Sequence, residues 1–164
     1  MVSIMQHRFC FAEGRIVGSH RETNMNRKKI LIVDDDAVIL ETLSTKLTAK
    51  GYEVLTAADG ATAVSTVRRA KPDLILLDVN LPVDASMEME WDAFRIMEWL
   101  KRLDEVAKIP VIVITGGDPN KNKERSFAAS ATAFFHKPIN HDELIKAIQK
   151  TFGEDPDPAP VAKV

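Results

Sequence analysis

The sequence predicts an α/β domain of (βα)5 form: a doubly wound, five-stranded parallel sheet with helices on both faces. Two observations lead there. Short aliphatic runs alternate with amphipathic stretches five times along the chain, and the first, third and fourth runs are apolar at consecutive positions, as strands buried on both faces must be. A third observation says where to look for function, because acid, hydroxyl and ammonium side chains fall at the carboxyl ends of separate strands.

Taken in order, Ile30 to Val33 is the first strand. Leu40, Leu43 and Leu47 then recur at helical spacing until Gly51, which suits a C-terminal cap. Tyr52 to Thr56 is the second strand, and Ala61 to Ala70 the second helix, ended before Pro72. Leu74 to Leu77 is the third strand; Trp91, Phe94, Ile96, Met97 and Leu100 mark a third helix, although apolar residues surround much of its circumference. Val111 to Ile114 is the fourth strand, and Phe127 and Ala131 close a weaker fourth helix. Ala133 to Phe135 is the fifth strand. Leu144, Ile145 and Ile148 define the fifth helix, with Asn140 placed to cap it and the acids of "NHDE" at its positive end. Right-handed crossovers are the default for such connections.

The chain bounds its own function class. Its 164 residues, 45% of them hydrophobic, suit one ordinary domain, and 22 basic against 24 acidic residues leave a formal charge of -2. Such a balance gives no global electrostatic case for nucleic-acid or membrane binding. No apolar run reaches the roughly 18 residues that span a bilayer. The single cysteine, Cys10, can form no internal disulfide, which fits a reducing compartment, and the chain reads as cytoplasmic. Residues 1–28 show no periodicity and read as a basic, flexible extension, with Met25 a possible alternative start. Residues 29–152 form the domain, and residues 153–164, with three prolines, read as a disordered tail.

The residues at the strand ends carry the chemistry. The first strand runs into Asp34, Asp35 and Asp36; the third ends in Asp78, the fourth in Thr115, and the fifth, after one residue, in Lys137. Adjacent carboxylates repel and resist desolvation, so a cation is called for. Acids from the first and third strands are hard oxygen ligands suited to Mg²⁺. With such an ion present, Asp78 can act as a nucleophile toward phosphorus, while Lys137 and Thr115 supply charge and a hydroxyl for the phosphoryl oxygens.

The stretches "ILIVDDD", "GYEVLTAADGATAV", "PDLILLDVNLP", "VIVITGG" and "FFHKPIN" together resemble the receiver domain of two-component response regulators, the family of the chemotaxis-type single-domain receiver, from Lys29 to about Phe152. The resemblance implies a flavodoxin-like receiver fold and a stand-alone switch rather than an enzyme. By the same resemblance, Asp78 would accept a phosphoryl group from a phosphohistidine of a sensor kinase or phosphotransfer protein. Asp35 would ligate Mg²⁺ directly, with Asp34 acting largely through water and Asn80 adding its backbone carbonyl. Thr115 matches the switch hydroxyl, Phe134 the rotating aromatic, and Lys137 the phosphate-binding lysine, whose bond to the following proline, here Pro138, is usually cis in the family. The output surface is formed by the fourth helix, fifth strand and fifth helix; the downstream protein target is unspecified, with a monomer or weak homodimer expected.

The sequence departs from the family where a short turn usually follows the third strand. If Asp92 and Ala93 stand for the family's Asp-Gly, then Val83 to Glu90 is an insertion, and Ala93 must avoid a positive φ. Ser130 replaces the glycine common before the fifth strand, and Gly117 removes one side chain that in some relatives positions a hydrolytic water, leaving Asn80; slow self-dephosphorylation is the expectation. Plainer readings exist for each residue: Asp36 as a helix cap, Thr115 as a turn residue, Phe134 as core, His136 and His141 as surface residues. "NKNKER" lacks the aromatics that nucleic-acid binding would need. Two rival functions remain. "ILIVDDDAV" also fits a haloacid-dehalogenase-type phosphatase with Asp34 as nucleophile and Asp36 as acid/base, although nothing downstream then uses Asp78. The other is a receiver-like binding module that is never phosphorylated.

Overall fold

In the first strand, Leu31 and Val33 point to one face of the sheet and Ile30 and Ile32 to the other, and all four are at most 1% exposed. That two-sided burial is why an unbroken aliphatic run becomes a strand here. The computed structural model describes residues 27–81, 91–116 and 118–154. Most of the predicted extension, the insertion Val83 to Glu90, Gly117 and the tail beyond Glu154 lie outside the described residues.

Among the described residues five strands and five helices alternate: β1 (Lys29–Val33), α1 (Ala37–Ala49), β2 (Glu53–Ala57), α2 (Gly60–Ala70), β3 (Leu74–Asp78), α3 (Ala93–Arg102), β4 (Val111–Thr115), α4 (Pro119–Ala128), β5 (Ala133–His136) and α5 (His141–Phe152). All the pairings are parallel, in the order β2-β1-β3-β4-β5. On one face, Ile30, Ile32, Leu74, Leu76, Ile112 and Ile114 pack against Leu43 and Leu47 of α1 and Leu144 and Ile148 of α5. On the other, Leu31, Val33, Ile75, Leu77, Val111 and Val113 meet α2 and α3. Each such side chain contributes about 1.5–3 kcal/mol on burial.

The chain leaves β1 toward one side of the sheet and β3 toward the other, so a crevice opens between their carboxyl ends. Val33 is in register with Leu77. The next residue on each strand, Asp34 and Asp78, is therefore delivered to that crevice by the register alone.

The local signals mostly hold. Asp36, Asp59, Asp92 and Asn140 cap α1, α2, α3 and α5 through side-chain oxygens that accept backbone N–H groups. Gly51 and Gly153 close their helices at φ 92° and 70°. Ala93 begins α3 and is fully buried, so no left-handed turn is needed there. Three readings need correction. Trp91 stands before the third helix rather than in it, because Asp92 is the N-cap of α3. The second strand starts at Glu53 rather than Tyr52, because the Tyr52 N–H donates to Leu47 O at the end of α1. The fourth helix stops at Ala128: Ser130 takes φ 69°, and the buried Ala131 lies in the turn, its N–H donating to Ser126 O. Phe127 does lie in the last turn of α4, with its side chain 47% exposed.

Candidate functional site

The strand ends build the site from the backbone outward. Asp34 follows β1 and accepts the N–H of Asp36 at 3.0 Å, while Asp78 ends β3 and accepts the N–H of Asn80 at 2.9 Å. Both are Asx-type turns, in which an aspartate fixes its own rotamer by holding the backbone two residues on. Each spends one carboxylate oxygen on that bond and leaves the other for the crevice.

Lys137 reaches between them. Its Nζ lies 2.7 Å from Asp34 Oδ2 and 2.6 Å from Asp78 Oδ2, with both acidic side chains 3% exposed. The backbone that carries it is held to β4 by a bond from Lys137 N to Thr115 O, and the Lys137–Pro138 peptide is cis. Burial pushes the Asp34 carboxyl above its ordinary pKa, against the opposing pull of Lys137 and the Asp36 N–H. Burial lowers the Lys137 pKa, but its bonds to Asp34 and Asp78 outweigh this, and the ammonium ends above its usual value. Lys137 is thus held charged between two acids.

One ammonium against two buried carboxylates leaves negative charge unbalanced, and the exposed Asp35 adds to it. Carboxylate oxygens of Asp34, Asp35 and Asp78 can lie within 4.8 Å of one another. Three hard oxygen donors so placed fit a small divalent cation. Beside them, the Asn80 side-chain amide donates to Thr115 Oγ1 at 3.2 Å, and Thr115 is fully buried. Phe134 is half-buried on β5, packed against the core face that holds α2 and α3. An apolar hollow of about 310 Å³ opens next to Lys137, lined by Val38, Ile39, Leu43, Pro138 and Ile139 among others.

The structure therefore gathers Asp34, Asp35, Asp78, Asn80, Thr115 and Lys137 at one edge of the sheet. It does not gather Asp36 with them: that side chain is exposed and caps α1 by accepting Val38 N at 2.8 Å. The phosphatase reading needed Asp36 as the partner of Asp34, and the partner is Asp78. The backbone N–H groups of Asp36 and Asn80 were not singled out from the sequence. The signal was present, since an aspartate entering a turn commonly binds the N–H two residues later.

These features define a protein class. The family profile of the response regulator receiver domain matches residues 30–149, and the chain belongs to that family. Receiver domains of two-component systems take a phosphoryl group on an aspartate and make contacts with kinases or phosphotransfer proteins and with downstream targets. The chain is 31% identical to the polar-differentiation response regulator DivK of Brucella anthropi over 127 residues, covering 77% of this chain and 98% of the relative. Among solved structures it is similar to the chemotaxis protein CheY4 of Vibrio cholerae, with 31% identity, a TM-score of 0.67 and coverage of 76% and 98% of the two chains. A CheY-like receiver protein from Methanospirillum hungatei gives the same identity and TM-score, with coverage of 77% and 94%. No helix among the described residues is long and apolar enough to cross a membrane.

Proposed function

We propose that this receiver is switched by phosphorylation of Asp78, with Mg²⁺ held by Asp34, Asp35, Asp78 and the backbone carbonyl of Asn80. The observation that carries the reading is the contact of Lys137 Nζ with Asp78 Oδ2 at 2.6 Å, which places an ammonium where a phosphoryl group on that oxygen would need one. A carboxylate oxygen of Asp78 attacks the phosphorus of a phosphohistidine. The P–N bond breaks, its electron pair returns to the imidazole, which takes up a proton, and an aspartyl phosphate results. Lys137 then pairs with a phosphoryl oxygen. Magnesium, when bound, supplies the charge compensation that two buried acids and a transferring phosphoryl group together require.

Thr115 and Phe134 are the switch residues of this proposal. Thr115 Oγ1 accepts from the Asn80 amide, so its O–H can be turned to donate to a phosphoryl oxygen, and movement there frees volume toward Phe134 on the adjacent strand. A surface of α4, β5 and α5 reports the change to a protein target. The donor is a sensor histidine kinase or a phosphotransfer protein in the cytoplasm, and the hollow along Val38, Ile39 and Pro138 suits an apolar side chain of its helix. Residues 29–152 are the working domain. The protein labels itself once rather than turning substrate over, so we read it as a signalling protein and not an enzyme.

Incubation with Mg²⁺ and acetyl phosphate, followed by intact mass, tests the reading. One phosphoryl group should appear on the wild type and be absent from Asp78→Asn. No labelling, or equal labelling of the variant, would contradict it, and the former result would favour a binding module that is never phosphorylated.

A further inference from the structure

Both tryptophans of the chain pack on the α2 and α3 side of the sheet, and neither is among the residues of the site described above. Trp91, just before α3, packs edge-on against Trp99 of α3 at a centroid distance of 5.9 Å and an interplanar angle of 82°. The Arg68 guanidinium of α2 sits 5.2 Å from the centre of the Trp99 ring. The approach of the two elements is close: a Cβ on Gly60, the first residue of α2, would lie 2.2 Å from the Trp91 carbonyl oxygen. Glycine at that position allows Trp91 to lie directly against α2.

The result is a groove of about 500 Å³ lined by Ala61, Val64, Ser65, Arg68, Arg69 and Trp91. Ala61, Ser65 and Arg68 follow one another along a single face of α2, with Val64 as apolar floor. The lining side chains described carry two guanidiniums and no carboxylate. Tryptophan and arginine around an apolar floor are the residue types that dominate the energetics of protein–protein contacts.

We propose that this groove docks an acidic segment of a partner protein: a short amphipathic helix that seats an aliphatic side chain on Val64 and Trp91 and sets carboxylates against Arg68 and Arg69. Charge complementarity selects the occupant. A volume of a few hundred Å³ takes one or two side chains, and the two guanidiniums reject a basic segment. The docking does not use Asp78: no residue lining the groove is among Asp34, Asp35, Asp78, Asn80, Thr115 and Lys137. It offers the receiver a second contact with its surroundings that does not depend on phosphorylation.

The test uses the full chain and its two tryptophans as reporters. The probe is a synthetic amphipathic helical peptide with leucines on one stripe and glutamates flanking it; a second peptide carries lysine in place of each glutamate. The glutamate peptide should change the intrinsic fluorescence saturably, more weakly at high salt, and the lysine peptide should not. Ser65→Glu, an exposed position, and the double variant Arg68→Gln/Arg69→Gln should each weaken binding about tenfold or more, with circular dichroism confirming that both remain folded. Asp78→Asn should bind as the wild type does. Absence of a saturable change, equal binding of the lysine peptide, undiminished binding by the folded variants, or tighter binding of a single-stranded oligonucleotide would overturn the proposal.

Discussion

The two ends of the sheet use the same kinds of groups to different effect. At the amino end, Lys28 pairs with Asp73 at 3.3 Å with side chains 48% and 37% exposed, Asp73 also accepts Lys29 N, and Tyr52 donates to Glu154 at 2.5 Å. At the carboxyl end, Lys137 pairs with Asp34 and Asp78 at 2.7 and 2.6 Å, and both acids are buried. In the first case water screens the charges and the pairs fasten the chain locally. In the second, two carboxylates share one ammonium out of water, and the imbalance is a standing demand for cations. Burial, more than residue type, separates a fastening from a site.

Breaking the buried end should have the largest consequence. Lys137→Ala leaves two buried carboxylates without their ammonium, and a urea melt in the absence of divalent ions should show a loss on the order of 3 kcal/mol. Added Mg²⁺ should recover part of it by mass action. An unchanged melt would remove the distinction between the two ends. Asp34→Asn sharpens the same contrast from the other side. Burial disfavours the Asp34 charge, so the variant should be at least as stable as the wild type without metal, yet bind Mg²⁺ about tenfold more weakly or worse. A variant that is both less stable and equally good at binding metal would show that Asp34 is structural.

At the amino end the effects shrink. Tyr52→Phe deletes a hydrogen bond while keeping the ring contact with Phe152, and should cost about 1 kcal/mol in the same melt. Lys28→Ala should cost less than about 1 kcal/mol, and less still at high salt. A loss from Lys28→Ala comparable to that from Lys137→Ala would erase the comparison.

What could be read from the sequence follows the same division. β1, β3 and β4 were legible because burial on both faces leaves only aliphatic residues, and a sheet edge follows from where each run stops at an acid or hydroxyl. Asp34, Asp78, Thr115 and Lys137 therefore fall at one sheet edge on the sequence pattern alone. The weak points are where one residue serves two elements. Tyr52 reads as strand because it is apolar and buried, but its N–H belongs to the end of α1. The end of α4 was misread because Ser130 takes a conformation that the sequence reserves for glycine. The surplus of apolar residues around α3 had no explanation in one dimension. In the fold, Trp99 meets Trp91 and Arg68, a contact between helices that no periodicity encodes. The different burial of Asp34 and Asp35, adjacent in sequence and identical in type, was likewise beyond pattern reading.

The gathering of acids from two strands to hold a divalent cation is best tested by calorimetric titration of Mg²⁺ into the wild type, Asp35→Asn and Asp36→Asn. One saturable site is predicted for the wild type and for Asp36→Asn, whose asparagine still caps α1, with binding lost in Asp35→Asn. Heat equal in all three proteins, or a loss confined to Asp36→Asn, would contradict it.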